Sequence, residues 1–190
     1  MKVYNFKDKI PKIHKSAFIH DSAVLIGEVI IGPNCFIGPN VTLRGDAGKI
    51  IVMANSNIQD NCVAHSEPNE NVVIHSYARV GHSCVLHGCE IKTGAVIGMG
   101  SILMDSSVIG ENALIGAGSL VRKNQVVKEK ALTMGTPAIF KRDLSEDEMK
   151  KMLQGTLKYI ENAKIYKGIQ PVSAIYFEEE EDFKPISPEM

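Results

Sequence analysis

The stretch IKTGAVIGMGSILMDSSVIGENALIGAGSLV, residues 91–121, carries an apolar residue at every sixth position. These positions are Ile91, Ile97, Leu103, Ile109, Ile115 and Val121. The fourth residue after each of the first five is small: Ala95, Ser101, Ser107, Ala113 and Ser119. A period of six fits neither the 3.6-residue period of a helix nor the simple alternation of a strand. It is typical of a chain wound into coils, with one large and one small inward side chain on each side of a coil.

The same period extends towards the N-terminus with three interruptions. Further apolar anchors lie at Ile19, Leu25, Ile31, Ile37, Leu43, Val52, Ile58, Ala64, Ile74, Val80 and, after a step of five, Val85. Three hexads make one triangular coil, and stacked coils repeat at the ordinary strand spacing of ~4.8 Å. The predicted fold is therefore all-β, a single-stranded parallel β-helix over residues 19–130. All four cysteines occupy the small inward position, which predicts buried free thiols.

The regions outside the repeat predict caps and a helix. Residues 1–18 are expected to form an N-terminal segment and cap, and residues 131–144 a connecting loop that contains Gly135 and Pro137. Ser145 and Glu148 have the spacing of a capping box, which predicts a helix over residues 145–168. Residues 169–190, with the acidic run EEEED, are expected to be a solvated, mobile tail.

Composition excludes several classes of function. The 190 residues carry a net charge of −1, without the basic surplus of a nucleic-acid-binding domain. No apolar run is long enough to span a membrane. The first residues, MKVYNFKDKIPKIH, lack the apolar core of a signal peptide, so a cytoplasmic location is expected.

Three histidines interrupt the repeat in a pattern that predicts a metal site. His65 follows the anchor Ala64, and His87 lies near the same corner one complete coil later. His82 lies one side of the triangle away, on the order of 18–20 Å at ~3.3 Å per residue. One chain therefore cannot bring all three to one ion, whereas a cyclic homotrimer can. His14, His20 and His75 do not belong to this pattern and are expected to be ordinary histidines.

Three imidazoles with an open fourth position make a catalytic zinc set. Zinc lowers the pKa of bound water towards 7 and so supplies hydroxide near neutral pH. A site of three imidazoles also accepts Fe²⁺ or Co²⁺, so the sequence leaves the identity of the metal open.

The motifs in this region resemble those of γ-class carbonic anhydrases. RGD at 44–46 is followed by NIQDN at 57–61, a histidine, GHSCVLHGC at 81–89 and VIGMGSILMD at 96–105. The resemblance covers residues 18–144 and implies a left-handed β-helix that works as a trimer. It also implies that the metal ligands are His65, His82 and His87, with His82 donated across the subunit interface.

The resemblance also assigns roles to four polar residues. It implies that Gln59 orients the metal-bound hydroxide, that Asp46 supports a metal ligand, and that Arg44 and Asp60 form an ion pair between subunits. Two features depart from the family pattern. Ala47 stands where the family has a glutamate, and the short loop SEPNEN, residues 66–71, replaces a long acidic loop that carries a proton-shuttle glutamate. Fast CO2 hydration needs a proton acceptor near the metal-bound water.

Two further motifs, GTPA at 135–138 and GTLKY at 155–159, look most similar to the hexapeptide-repeat proteins of phenylacetate degradation and the carnitine operon. Those proteins accompany CoA-thioester metabolism. The sequence therefore predicts a zinc-hydroxide enzyme of the γ-carbonic-anhydrase type that hydrates CO2. It leaves open an acyl-CoA thioester hydrolase or acyltransferase on the same scaffold. It also leaves open a non-catalytic accessory or binding protein with a vestigial metal site.

Overall fold

The computed structural model describes residues 1–171 and confirms the predicted fold, a left-handed parallel β-helix followed by one helix. The acidic run of the predicted tail lies outside the described residues. The first strands are β1 Lys2–Tyr4, β2 Lys12–Ile13, β3 Phe18–Ile19, β4 Val24–Ile31, β5 Phe36–Ile37, β6 Thr42–Val52, β7 Asn57–Ile58, β8 Val63–His65, β9 Val72–Ile74 and β10 Arg79–Val80. The remaining elements are β11 Val85–His87, β12 Glu90–Ile91, β13 Val96–Ile97, β14 Ile102–Leu103, β15 Val108–Ile109, β16 Leu114–Ile115, β17 Leu120–Val121, β18 Val126–Val127, β19 Ala131–Met134, β20 Ile139–Asp143 and α1 Glu146–Tyr166.

The strands stack in register from coil to coil. One sheet contains twelve strands, with the long β6 joining the run that holds β8 and β11 to the run that holds β9 and β12. A second sheet of eight strands contains β7 and β10 as neighbours. Ile97 pairs with Ile115, so equivalent positions on successive regular coils lie eighteen residues apart. This offset predicts which residues become neighbours along the stack.

The inward positions form one continuous core. Fifteen of the seventeen predicted anchors are buried, and Ile19 is partly buried against them. The four cysteines are free and buried, as predicted. Burial raises the pKa of Cys35 to about 11, which keeps this thiol protonated and unreactive.

The anchor predicted at Val85 is wrong, because Leu86 takes that place. Val85 is 40% exposed and Leu86 is 1% exposed. Leu86 pairs with the anchor Ala64, so the coil keeps its six-residue step from Val80, and the step of five falls after Leu86. Gly88 lies within this shorter step and has a φ of +53°, a conformation that glycine adopts at little cost. Both candidates are apolar, so the period alone did not distinguish them.

This correction makes a testable prediction about stability. Leu86→Ala should lower the free energy of unfolding by ~2–5 kcal/mol, because it leaves a cavity in a closely packed core. Val85→Ala, one residue away on the solvent side, should change it by less than ~1 kcal/mol. Urea denaturation of the two variants measures the contrast, and equal losses would show that the inward residue has been misassigned.

The predicted connecting loop over residues 131–144 contains strands instead. The strand β19 continues the stack beside β16, and β20 turns back and pairs with β19 in antiparallel fashion. The last coil of a stack exposes unpaired backbone groups, and pairing with a returning strand satisfies them. At the other end of the stack, β1 and β2 of the predicted N-terminal cap both pair with β4.

The helix α1 lies along the outer face of the eight-stranded sheet. Ser145 caps it with both hydrogen bonds of the predicted capping box, and the helix ends two residues before the predicted end. Its aromatic residues pack on Phe18 and Phe36, and Met152 packs with Val96. Between these clusters Gly155 faces Arg79, and a Cβ at this glycine would lie 2.0 Å from the guanidinium Nη1. Within residues 1–171, no helix has both the length and the apolarity to cross a membrane.

Candidate metal centre

Two of the predicted ligands meet on adjacent coils. His65 ends β8 and His87 ends β11, and the two residues are direct register partners. Nδ1 of His65 lies 3.3 Å from Nε2 of His87. Two imidazole nitrogens that bind one tetrahedral zinc at ~2.0–2.1 Å lie ~3.3–3.4 Å apart. The distance between these two nitrogens therefore fits a shared metal ion.

The second nitrogen of each of these rings contacts a carboxylate. Nε2 of His65 lies 3.0 Å from Oδ1 of Asp46, and Nδ1 of His87 is hydrogen-bonded to Oδ1 of Asp105. A carboxylate in this position fixes the ring's tautomer and leaves the opposite nitrogen's lone pair free for a metal. The free nitrogens are the two that lie 3.3 Å apart.

Both carboxylates are held in the charged form. Burial on its own would raise the pKa of Asp46, but hydrogen bonds from Arg44, the Ala47 amide and His65 outweigh it and lower that pKa. Burial likewise would raise the pKa of Asp105, and its hydrogen bond with His87 is the largest of the contacts that lower it instead. Each aspartate can therefore accept a hydrogen bond from a neutral imidazole near pH 7.

His82 lies apart from this pair. It follows β10 of the eight-stranded sheet, whereas β8 and β11 belong to the twelve-stranded sheet. Its Nδ1 lies 2.5 Å from Oδ2 of Asp60, which leaves Nε2 free. Among residues 1–171 no group of three potential ligands comes close enough to hold an ion. The donation of His82 by a second subunit stays a prediction.

Gln59 lies on the His82 side of the molecule. Its backbone amide donates to the carbonyl of Val80, two residues before His82. Gln59 is 5% exposed, and its Nε2 donates to Oδ1 of Asn57 at 3.2 Å. This bond fixes the orientation of a buried amide that would otherwise have several rotamers.

The charged pair predicted between subunits does not form within the described chain. Arg44 instead contacts Asp46, with Nη1 2.6 Å from Oδ2, and Asp60 contacts His82. Asp46 thus bridges Arg44 and the candidate ligand His65. The pairing of Arg44 with Asp60 across an interface stays a prediction.

Asp105 was not singled out by the sequence analysis. It lies eighteen residues after His87, one residue beyond the seventeen-residue offset that pairs Leu86 with Leu103 on these two coils. A search for a carboxylate within one residue of the position one coil after each candidate ligand finds it. The ordinary histidines have other contacts: His75 lies beside Glu90, and His14 and His20 lie beside serines.

The sequence and the geometry have parallels in known proteins. The family model described as "Bacterial transferase hexapeptide (six repeats)" matches residues 10–45 and 88–123. The carnitine operon protein CaiE of Escherichia coli K12 is 42% identical over 159 residues, which cover 84% of this chain and 81% of CaiE. A carbonic anhydrase of Geobacillus kaustophilus is 44% identical over 168 residues, which cover 88% of this chain and 92% of that protein. The chain belongs to the γ-carbonic-anhydrase-like hexapeptide-repeat family.

Solved structures of this hexapeptide-repeat family agree with the fold. A Bacillus cereus protein proposed to be an acetyltransferase superposes with a TM-score of 0.88 at 39% identity, over 89% of this chain and 98% of that one. A hexapeptide transferase family protein from Anaplasma phagocytophilum gives a TM-score of 0.84 at 38% identity, over 87% and 98% of the two chains. The coils that carry the candidate metal centre are therefore part of a scaffold that these relatives share.

Proposed function

We propose that this protein is a homotrimeric metalloenzyme of the γ-carbonic-anhydrase type that catalyses the reversible hydration of CO2. The observation that carries the proposal is the pairing of each candidate ligand with its own aspartate. His65, His82 and His87 each present one free ring nitrogen while a carboxylate holds the other. His75 shares the carboxylate contact but has no second imidazole beside it, whereas the remaining nitrogens of His65 and His87 lie 3.3 Å apart, as two ligands of one zinc ion do.

In this proposal three aspartates orient the metal ligands, and Gln59 orients the reacting oxygen. Asp46 and Asp105 orient the two imidazoles of one subunit, and Asp60 orients His82 for the neighbouring subunit. Zinc, when bound, acts as a Lewis acid that makes water acidic enough to react near neutral pH. Gln59, held by Asn57, offers its amide to orient the attacking oxygen. Fe²⁺ or Co²⁺ would suit the same imidazoles.

A thioester-directed reaction is the second candidate. The similarity to the Bacillus cereus protein proposed to be an acetyltransferase favours a substrate with an acyl group. Hydrolysis of an acyl-CoA thioester would use the same three histidines and Gln59. An accessory protein with a vestigial site is the third candidate, and it predicts that the metal-loaded protein catalyses neither reaction.

One preparation of the protein separates these candidates. Its metal content is measured by mass spectrometry, and the same sample is assayed for CO2 hydration and for acyl-CoA hydrolysis. The proposal predicts about one ion per chain and CO2 hydration as the faster reaction. Faster thioester hydrolysis would support the second candidate, and a metal-loaded but inactive protein would support the third.

Ala47 provides a prediction about proton transfer. It lies in the part of β6 that bulges out of register with β4, directly after Asp46. Ala47→Glu would place a proton acceptor there, and it should raise the rate of CO2 hydration by up to ~10²-fold if proton removal limits that rate. Acyl-CoA hydrolysis should change little. Stopped-flow assays measure both rates, with Ala54→Glu, in a turn outside the candidate centre, as the matched control.

An unchanged rate of CO2 hydration in Ala47→Glu would mean that proton transfer does not limit the enzyme. Equal acceleration in the control variant would assign any gain to surface charge instead.

A further inference from the structure

The short loop over residues 66–71 places Glu70 beside the candidate metal centre. The loop starts immediately after His65, and the buried hydroxyl of Ser66 donates to the carbonyl oxygen of Glu70 at 3.0 Å. The amide of Glu70 donates to the carbonyl of Glu67, which completes a tight turn. The backbone of Glu70 is therefore fixed relative to the strand that carries the first candidate ligand.

Two glycines leave the space that Glu70 occupies. A Cβ at Gly48 would lie 1.7 Å from the carbonyl oxygen of Glu70, and a Cβ at Gly88 would lie 2.3 Å from its Oε2. Gly48 comes two residues after Asp46, and Gly88 comes directly after His87. No other residue fits at either position without moving Glu70, because every other side chain begins with a Cβ.

The side chain of Glu70 reaches the next coil. Ser106, the residue after Asp105, donates its hydroxyl to Oε1 of Glu70 at 3.2 Å. A Cβ at Gly88 would lie 2.3 Å from Oε2 of Glu70 and 2.7 Å from Oδ1 of Asp105. The two carboxyl groups therefore face each other across Gly88, and the same Asp105 oxygen is hydrogen-bonded to His87. Oε2 of Glu70 is buried and has no hydrogen-bond partner among residues 1–171.

We propose that Glu70 is a positioning residue of the metal centre, which holds Ser106 and thereby the adjacent Asp105 and the His87 ring. Four of the residues beside Glu70 lie one or two positions from a residue of the centre: Ser66 from His65, Gly48 from Asp46, Gly88 from His87 and Ser106 from Asp105. The loop thus connects the strands that carry His65 and His87 on the side where Asp46 and Asp105 contact the two rings. The proposal rests on the proposed function in that it takes His65 and His87 to be metal ligands.

Metal affinity tests the proposal directly. Competition for Zn²⁺ with a chromogenic chelator gives the affinity of the full-length protein and its variants. Glu70→Ala should weaken binding by ~10-fold, the lower end of the range for loss of an outer-shell partner. Glu70→Gln should bind within about twofold of wild type, because its amide oxygen accepts from Ser106 and its amide N–H donates to Asp105. Glu67→Gln, exposed in the same loop, is the matched control and should bind as wild type.

The rescue by glutamine separates positioning from a role of the negative charge. If Glu70 acted as a proton acceptor or by attracting the cation, Glu70→Gln would be as defective as Glu70→Ala, and the proposal would be overturned. Wild-type affinity in a folded Glu70→Ala protein would overturn it equally. If Glu70→Ala does not fold, Ser106→Ala provides the test: it removes one contact of Glu70, and it should weaken binding by roughly threefold as a part of the outer-shell effect.

A measurement on the metal-free protein distinguishes failure of this inference from failure of the proposed function. Nitrogen-15 NMR of histidine-labelled protein reports which ring nitrogen of His87 carries the proton. Wild type and Glu70→Gln should show a single tautomer with the proton on Nδ1, towards Asp105, and Glu70→Ala should show a mixture. If wild type has this tautomer but binds no metal, the proposed function fails and the positioning role stands. A single tautomer in Glu70→Ala as well would contradict the positioning role.

Discussion

Replacement of His87 by alanine should abolish both the binding of metal and the catalysis of CO2 hydration. His87 supplies one of the two nitrogens that lie 3.3 Å apart, and its loss leaves one imidazole on this subunit. Two imidazoles in total rarely hold a catalytic zinc ion, so the ion should be lost on gel filtration. The measurement is the metal content of the purified variant together with its rate in a stopped-flow assay.

His75→Ala is the matched control for this substitution. His75 also contacts a carboxylate, with Nε2 2.8 Å from Oε1 of Glu90, but it has no second imidazole beside it. This variant should keep its metal and its rate. Full activity in a metal-free His87→Ala protein would rule out both the carbonic anhydrase and the thioesterase versions of the metal mechanism.

The sequence predicts the fold well because each hexad repeats the same physical requirement. A side chain such as Ile97 must fill the core against Ile115 on the next coil, and the glycine or small residue after it must allow the corner. Prediction failed where this redundancy was absent. The pair Val85 and Leu86 offers two apolar residues at the single irregular step, and burial alone distinguishes them. The hairpin of β19 and β20 pairs the backbone groups at the exposed end of the sheet. The six-residue repeat contains no signal that predicts this hairpin.

The candidate centre was predictable only as far as contacts follow from coil geometry. The meeting of His65 and His87 follows from counting one coil, and a search one residue beyond the next count would have found Asp105. The contact between His82 and Asp60 follows from pairing between β7 and β10. The role of Glu70 could not be predicted, because it depends on how an irregular loop folds back over Gly48 and Gly88.

The second prediction with a large expected effect concerns metal binding at a centre that lies between subunits. In the proposed trimer each site takes His65 and His87 from one subunit and His82 from the next. A trimer of His82→Ala chains therefore lacks one ligand at every site, and a trimer of His87→Ala chains lacks another. Both should be free of metal and inactive. A mixed trimer should differ, because a His82→Ala subunit still offers its His65 and His87 to the intact His82 of a His87→Ala neighbour.

Mixed trimers can be isolated by co-expressing the two variants with different affinity tags and purifying on both tags in succession. Whether such a trimer contains one or two chains of either kind, cyclic symmetry gives it a single intact site. The metal content of this preparation is the most direct test of the account. We expect about one ion per mixed trimer and none in either parent. Metal retained by the His82→Ala parent, or a mixed trimer without metal, would contradict a centre that is shared between subunits.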